Sequence, residues 1–369
     1  MYYKQYGTTG CRVSAIGFGG MRFIEEDIKS GNLEACAEVV RYAHEKGINY
    51  FDTAPAYCDD KSETIMGLAL SKLPRDSYLI STKTNFYQLD NPATEAGFFR
   101  RLETSLKRLQ VDCIDFYHLW CMLSLSQYQK QRDALYGYFL KAKDQGMIRH
   151  IVFSSHMPGS DLAQVIDEGL FEGMLIGYNA LNYRYRISGL TAAHRHNMGA
   201  VVMNPLGGGV IPASPQLFSY LTEGTSLNAA QAALRFVAGH QEVSVTLNGI
   251  STKEQVDEAL VAIQGLEERP AEEQTALLPA SGGGLNALCT GCGYCDSCPV
   301  KIPIPKFMDA YNQKILTERN PLIRLSNHWA LKPDAAFGCI SCGQCEGLCT
   351  QHLPIIDRLH EIQQFASAT

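Results

Sequence analysis

Residues 47–63 read GINYFDTAPAYCDDKSE. The run Asn49 to Asp52 has the aromatic make-up of a short buried strand. The Thr-Ala-Pro that follows ends it, because proline cannot donate to a strand ladder. Tyr57 then falls in the next loop, five residues after Asp52. An acid at a strand end followed by a tyrosine suggests reaction chemistry. The bland alternative is an aspartate that caps a turn beside a half-buried aromatic ring.

Outward from this stretch, strand-like runs alternate with helix-period stretches. Eight strands are expected, at Val13 to Phe18, Tyr50 to Asp52, Leu79 to Ser81, Ile114 to Leu119, Ile151 to Ser154, Met174 to Tyr178, Ala200 to Met203 and Val243 to Leu247. One helix is predicted to start at Asn91-Pro92, a cap with proline in the first turn, and to carry Phe98, Leu102, Leu106 and Leu109 on one face. Another is predicted from Ser251-Thr252, with Glu254 and Gln255 at capping-box spacing, burying Val256, Leu260 and Ile263. Eight alternating units predict an α/β fold, a parallel (β/α)8 TIM barrel over residues 1–265. No GxGxxG fingerprint follows the first strand, which disfavours an open dinucleotide-binding sheet.

A length of 369 residues accommodates one large barrel and a small module. The 46% hydrophobic content is that of a globular chain, and no apolar run approaches the ~20 residues that span a membrane. The N-terminal MYYKQYGTTG lacks the apolar core of a signal peptide, so a cytoplasmic location with no membrane association is expected. A net charge of -6 with scattered basic residues disfavours nucleic acid as a partner. Thirteen cysteines, an odd number, argue against a closed disulfide framework, and eight fall in two tight C-terminal clusters that point to metal. The other five, Cys11, Cys36, Cys58, Cys113 and Cys121, read as small buried hydrophobes. Residues 266–284 are rich in Glu, Pro, Ala and Gly and read as a linker; residues 285–369 form the cysteine module, closed by a helix from about Ile355 to Phe365.

The stretch around Tyr57 resembles the aldo-keto reductases, whose catalytic residues lie in D-T-A-x-x-Y-G-x-x-x-S-E. Asp52, Thr53, Ala54, Tyr57, Ser62 and Glu63 match, while Cys58 replaces the glycine. Lys83, in STKTN, looks like the lysine of that family. The resemblance implies that Tyr57 donates a proton in carbonyl reduction, with Lys83 tuning it and Asp52 anchoring Lys83. These residue types suit that chemistry, because hydride addition builds an alkoxide that needs a proton, and a phenol with pKa about 10 is a reluctant acid. A neighbouring ammonium favours the phenolate. The family usually has D-x-x-x-x-H at strand four; counted from Asp115, that place holds Trp120, expected to line the pocket. His118 lies on the same strand face roughly 6 to 7 Å deeper, either a donor from below or a buried structural histidine.

Cofactor expectations also rest on the resemblance. Ser154 and Ser155 in FSSH resemble the loop that binds the nicotinamide amide. Asn204, Leu206 and Gly208 lie in NPLGGG, a phosphate-side turn, and Ser251 to Gln255 offer helix-start N–H groups to a phosphate. The usual glutamine after strand six aligns with Gly177, and Met203 stands where some members stack a tyrosine. Gly249 and Gln255 align with the usual Lys and Arg near a 2'-phosphate, leaving Lys253 nearby. NADP(H), NAD(H) and FMN in the same phosphate site are the cofactor readings. A small-molecule substrate is expected between the Leu119 to Gln131 and Tyr183 to Arg186 loops. Tyr183, Arg184, Tyr185 and Arg186 either hold an anionic or aromatic group or form an ordinary solvated loop.

In the tail, Cys289, Cys292, Cys295 and Cys298 precede Pro299, and Cys339, Cys342, Cys345 and Cys349 precede Thr350. These runs resemble bacterial two-cluster ferredoxins, in which the fourth cysteine of each run ligates the other cluster. The resemblance implies one 4Fe-4S cluster on Cys289, Cys292, Cys295 and Cys349 and another on Cys339, Cys342, Cys345 and Cys298. Zinc on paired C-x2-C motifs is the alternative, although runs of three are wasteful for it. Barrel followed by cysteine tail is similar to the iron-sulfur branch of the aldo-keto reductases, over residues 1 to about 355. An NAD(P)H-linked oxidoreductase is implied. In a second reading, a ferredoxin or other carrier feeds single electrons through the clusters and a flavin to the barrel. A third is a non-catalytic electron-transfer protein.

Overall fold

The computed structural model describes residues 1–85, 94–276, 278, 285, 287–317 and 320–367. Its strands are β1 (Tyr3–Gln5), β2 (Arg12–Ser14), β3 (Ile16–Gly19), β4 (Tyr50–Asp52), β5 (Leu79–Thr84), β6 (Ile114–Met122), β7 (Ile148–Ser155), β8 (Gly173–Gly177), β9 (Gly199–Met203) and β10 (Val245–Gly249). β1 and β2 pair as an antiparallel hairpin, and β3 to β10 close in chain order into an all-parallel barrel, with β10 beside β3. The (β/α)8 barrel is thus the observed fold. The expected strand at Val13 to Phe18 is two elements: Ala15 donates its N–H to Tyr2, and the chain leaves the hairpin there to enter the barrel. Nothing in Val13-Ser14-Ala15-Ile16-Gly17-Phe18 marks such a change of partner. At β10, Val243 donates to His240 in a turn, so the strand starts two residues later than expected, at Val245.

Side chains alternate along each strand, and one face lines the interior. Tyr6, Val13, Tyr50, Phe116, Val152, Leu175, Val201, Val245 and Leu247 form that core. Tyr6 plugs it from the hairpin. A Cβ on Gly173 or Gly199 would come within 2.3 or 2.2 Å of the Tyr6 ring and hydroxyl, so these glycines make room for the plug. The Lys4 ammonium tethers the hairpin by donating to the carbonyls of Ala238, His240 and Val243 at 2.7, 3.0 and 2.9 Å.

At the same end of the barrel, His150 Nδ1 lies 2.8 Å from Glu172 Oε1 and Nε2 lies 3.6 Å from Cys11 Sγ. Burial opposes a charged ring, but the hydrogen bonds to Cys11 and Glu172 reverse this and hold His150 at about 9. For Glu172, burial is likewise outweighed, by His150 and Lys143, and its carboxyl falls to about 2. The histidine's contribution to stability is therefore complete below its unfolded value near 6.5 and lost as pH rises through about 9. The carboxylate's contribution is complete above its unfolded value of 4.5 and lost as pH falls through about 2. Chemical denaturation of wild type and His150→Gln across this range should show the stability difference greatest between about 4.5 and 6.5.

Helix Glu95–Leu109 is capped by Thr94, whose side chain accepts from the Gly97 N–H, and buries Phe98, Leu102 and Leu109. Its expected start at Asn91-Pro92 lies outside the described residues. Helix Lys253–Val261 follows Thr252 and buries Val256 and Ala259. Within the segment expected to be a linker, helix Ala271–Ala276 forms, and the Ala271 N–H donates to the buried Glu242 carboxylate at 2.9 Å. Contacts divide the chain into two units, Met1–Leu206 with Ile211–Gly284, and Gly207–Val210 with Leu285–Thr369. The second unit packs helices Ile304–Thr317, Pro321–Asn327 and Ile355–Ser367 around Phe307, Met308, Leu325, Leu359 and Ile362. No described helix is long and apolar enough to cross a membrane.

Candidate active site and cysteine centres

The register places Asp52 beside Ser81 across β4 and β5, and Lys83 beside His118 across β5 and β6. Lys83 Nζ donates to Asp52 Oδ1 at 2.5 Å and to the Thr53 carbonyl at 2.7 Å. The two side chains are 1% and 3% exposed. Burial pulls the ammonium below the usual lysine range, and the Asp52 charge opposes that fall. The same nitrogen lies 5.4 Å from the centre of the Tyr57 ring. Asp52, Lys83 and Tyr57 are therefore brought together.

The loop that presents Tyr57 is built from left-handed residues, with φ of 67° at Ala56, 53° at Cys58, 52° at Asp59 and 62° at Asp60. The aldo-keto motif has glycine at the Cys58 position because a Cβ in this region costs roughly 1–2 kcal/mol. The rest of the motif anchors the loop. Ser62 Oγ donates to Gly20 O at 2.6 Å and lies 2.6 Å from Thr53 Oγ1. The buried Glu63 carboxylate accepts from Thr82, Arg101 and Arg108 at 2.8, 2.8 and 3.3 Å. Cys58→Gly should therefore raise stability by about 1 kcal/mol in chemical denaturation, the relieved strain exceeding the entropy added to the unfolded chain.

His118 is fully buried, and its Nε2 lies 2.9 Å from Ser81 Oγ, which donates to Asp52 Oδ2 at 2.7 Å. The Ser81 proton goes to the carboxylate, which can only accept, so His118 carries its hydrogen on Nε2 and donates it to Ser81. Burial and then the Lys83 charge hold His118 well below the histidine range, so the ring is neutral. The donor nitrogen is thus spent on Ser81, a different use from direct donation to a substrate. Ser81 went unmarked in the sequence, although it precedes Lys83 by two residues and so shares its strand face.

Trp120 stands edge-on to Tyr57, ring centres 5.8 Å apart. β6 pairs Leu119 with Phe153 but Met122 with Ser155, so it carries one extra residue there, and Cys121 takes φ 60°. This bulge re-aims the strand end, and simple alternation does not locate the Trp120 ring. Asp115, from which the family motif was counted, binds Arg75 at 2.7 Å, Arg149 at 2.9 Å and the Ile80 N–H at 2.8 Å, a structural anchor.

The expected cofactor residues fare unevenly. Ser154 Oγ is buried with no hydrogen-bond partner among the described residues. Ser155 Oγ donates to Met122 O and accepts from the Met157 N–H, both at 3.0 Å, so it is engaged within the protein. The Asn204 carbonyl accepts from Asn179 at 2.9 Å, and Leu206 leads into a turn in which Gly208 and Gly209 take φ of 68° and 92°. At the last helix start, Thr252 takes the Gln255 N–H at 3.3 Å and the Gln255 side chain takes the Ser251 N–H at 2.8 Å. Those two N–H groups, expected to be free for a phosphate, are closed by the capping residues. Ser251 Oγ donates to Arg22 O, Lys253 lies 3.7 Å from Glu38, and a Cβ on Gly249 would meet the Arg22 side chain at 2.7 Å.

Tyr183 to Arg186 are not a solvated loop: they open helix Tyr183–Arg195, and Tyr183 and Arg186 are buried. Arg186 Nη2 donates to His156 O at 3.0 Å, while Nε and Nη1 have no hydrogen-bond partner among the described residues. Burial pulls this guanidinium down to about 10. Gly177 shares the inward face of β8 with Leu175, and a Cβ there would lie 3.8 Å from Arg186 Nη1 and 3.9 Å from His156 Nδ1. An arginine thus reaches toward the position where the family has its glutamine.

In the second unit, two small cavities are each rimmed by four cysteines. One has Cys289, Cys292, Cys295 and Cys349; the other has Cys298, Cys339, Cys342 and Cys345. No three His, Cys, Asp or Glu side chains among the described residues converge as ligands of a single ion. Four sulfurs at each cavity match in number the cysteine ligands of a 4Fe-4S cluster. Apolar side chains complete the rims, Val300, Ile302 and Ile304 at one, Met308, Leu353 and Ile355 at the other.

The aldo/keto reductase family model matches residues 15–268, and a 4Fe-4S dicluster domain model matches residues 288–354. The chain belongs to the aldo/keto reductase family, is an oxidoreductase, and carries a C-terminal 4Fe-4S domain. It is 27% identical over 293 residues to L-galactose dehydrogenase of Arabidopsis thaliana, covering 74% of this chain and 91% of that one. It is 33% identical over 127 residues to the NADH-specific methylglyoxal reductase of Escherichia coli, covering 30% and 39%. The fold is that of an aldo-keto reductase from Bacillus halodurans in holo form, with a TM-score of 0.62, 24% identity and coverage of 76% and 97%. It is also that of an aldo/keto reductase from Klebsiella pneumoniae in complex with NADP and acetate, with a TM-score of 0.58, 21% identity and coverage of 73% and 92%.

Proposed function

We propose that the barrel reduces a small carbonyl compound with NAD(P)H, Tyr57 giving the proton. The observation that carries this reading is the Lys83 ammonium, locked between Asp52 and the Thr53 carbonyl and 5.4 Å from the Tyr57 ring centre. Bound nicotinamide supplies the hydride. Tyr57 protonates the developing alkoxide, Lys83 makes the phenol a better acid, and Asp52 keeps Lys83 charged and aimed. Ser81 and His118 act as positioning residues that hold the second oxygen of Asp52. Trp120 walls the site beside Tyr57.

Binding of NADP by the Klebsiella pneumoniae neighbour and the NADH specificity named for the Escherichia coli relative support a nicotinamide cofactor. The unpartnered, buried Ser154 hydroxyl supports it as the residue that meets the nicotinamide amide. Gly249 and Gln255, which stand where the family has a Lys and an Arg near a 2'-phosphate, favour NADH over NADPH. The half-partnered Arg186 favours a substrate that carries a carboxylate. The two cysteine rims support two 4Fe-4S clusters, held by the sets around Cys289 and Cys339. Reduced thiolates of this kind belong in the cytoplasm.

The same rims favour a second reading, in which a ferredoxin or another one-electron carrier feeds the barrel through the clusters, with FMN between them. The two readings separate when protein purified without oxygen is mixed with NADH or NADPH and matched aldehydes with and without a carboxylate. The first predicts carbonyl-dependent loss of nicotinamide absorbance, faster with the carboxylate, and no bleaching of the clusters. No carbonyl turnover with either nicotinamide, together with cluster bleaching and turnover when a reduced ferredoxin is added, would replace it with the second.

A further inference from the structure

The end of the barrel that holds the Tyr6 plug carries a side-chain cluster unused by the chemistry at the mouth. Cys11 follows the hairpin turn, half-buried, with Sγ 3.6 Å from His150 Nε2. His150 Nδ1 is held 2.8 Å from Glu172 Oε1. Glu172 is fixed in turn by Lys143 Nζ at 2.7 Å and the Ile151 N–H at 3.1 Å, and Phe116 stacks on the imidazole, ring centres 5.2 Å apart. A nucleophile, a base and an acid that orients the base are thus connected in order, the arrangement that converts a thiol to a thiolate. This differs from the small-hydrophobe reading of Cys11 in the sequence.

We propose that Cys11 is an activated thiol, a modification site at which low-molecular-weight disulfides form a mixed disulfide. The Cys11 thiolate attacks one sulfur of the disulfide, a new S–S bond forms and the old one breaks. The departing thiolate takes the proton from the His150 imidazolium. Cys11 is oxidised and the incoming disulfide is reduced, so electrons balance without a further oxidant. The charged groups facing the site agree with this chemistry. The hydrogen bond from His150 lowers the Cys11 thiol and outweighs burial, while Asp115 opposes it, itself engaged by Arg75 and Arg149. Glu172 and Lys143 stand behind His150, and the Tyr6 phenol nearby is kept protonated by burial. The comparison residue is Cys113, also partly exposed, whose thiol burial pushes up.

The test uses the full chain, purified without oxygen, exposed to oxidised glutathione or iodoacetamide over a pH series and mapped by peptide mass spectrometry. Cys11 should react at least about tenfold faster than Cys113 at pH 7, with a rate midpoint below the ordinary thiol range. His150→Gln and Glu172→Gln should each slow Cys11 and move its midpoint upward, leaving Cys113 unchanged. Equal wild-type rates for the two cysteines would overturn the proposal without any variant. An unaltered Cys11 profile in both variants that fold would also overturn it.

Discussion

Tyr57→Phe is expected to lower kcat/KM for carbonyl reduction by roughly 10²- to 10⁴-fold, the range a positioned proton donor supplies, with nicotinamide affinity nearly unchanged. The phenyl ring keeps the edge contact with Trp120 and the position over Lys83, so the variant removes only the hydroxyl. Lys83→Met should match or exceed that loss, because it also leaves Asp52 buried without its cation. The split between the two is informative. Undiminished turnover in Tyr57→Phe would remove proton donation by this residue from the mechanism.

The second large effect concerns iron. Cys349→Ser is expected to strip the same cluster as Cys289→Ser, though sixty positions separate them in the chain. Cys298→Ser should behave like Cys339→Ser. The reason is the rims: Cys349 lies with Cys289, Cys292 and Cys295, and Cys298 lies with Cys339, Cys342 and Cys345. Each single variant should lose about half the iron and one of two low-temperature EPR signals in dithionite-reduced protein. Cys289→Ser combined with Cys349→Ser should lose no more than either alone. If Cys349→Ser instead groups with Cys339→Ser, each run holds its own cluster and the crossed assignment fails.

Much of this molecule can be read from its sequence, for identifiable reasons. The barrel is legible because buried parallel strands alternate with amphipathic helices, and the Asp52, Tyr57 and Lys83 grouping because its motifs resemble those of the aldo-keto reductases, although Lys83 lies 31 residues beyond Asp52. The crossed cysteine sets are what the resemblance to two-cluster ferredoxins implies, and the cysteines around the two cavities support them. What escaped depends on contacts between residues distant in sequence. Ser81 gains meaning only when β4 and β6 bring Asp52 and His118 to either side of it. Arg186, open in the sequence between an anion-holding residue and part of a solvated loop, is turned inward beside His156 and Gly177 by the helix it opens. The Trp120 bulge is invisible to a count of alternating residues, and the capping at Ser251 to Gln255, foreseen as a helix start, also closes the N–H groups it seemed to offer.

The most direct test of the central claim, hydride transfer at the barrel mouth, is to follow deuterium from C4-labelled NADH or NADPH during anaerobic turnover with an aldehyde. The account predicts that the label arrives on the carbonyl carbon of the alcohol in a single stereochemical sense, and that the clusters keep their oxidation state. Product carrying only solvent hydrogen at that carbon would contradict it and point to electrons arriving singly, through the clusters and an exchangeable carrier.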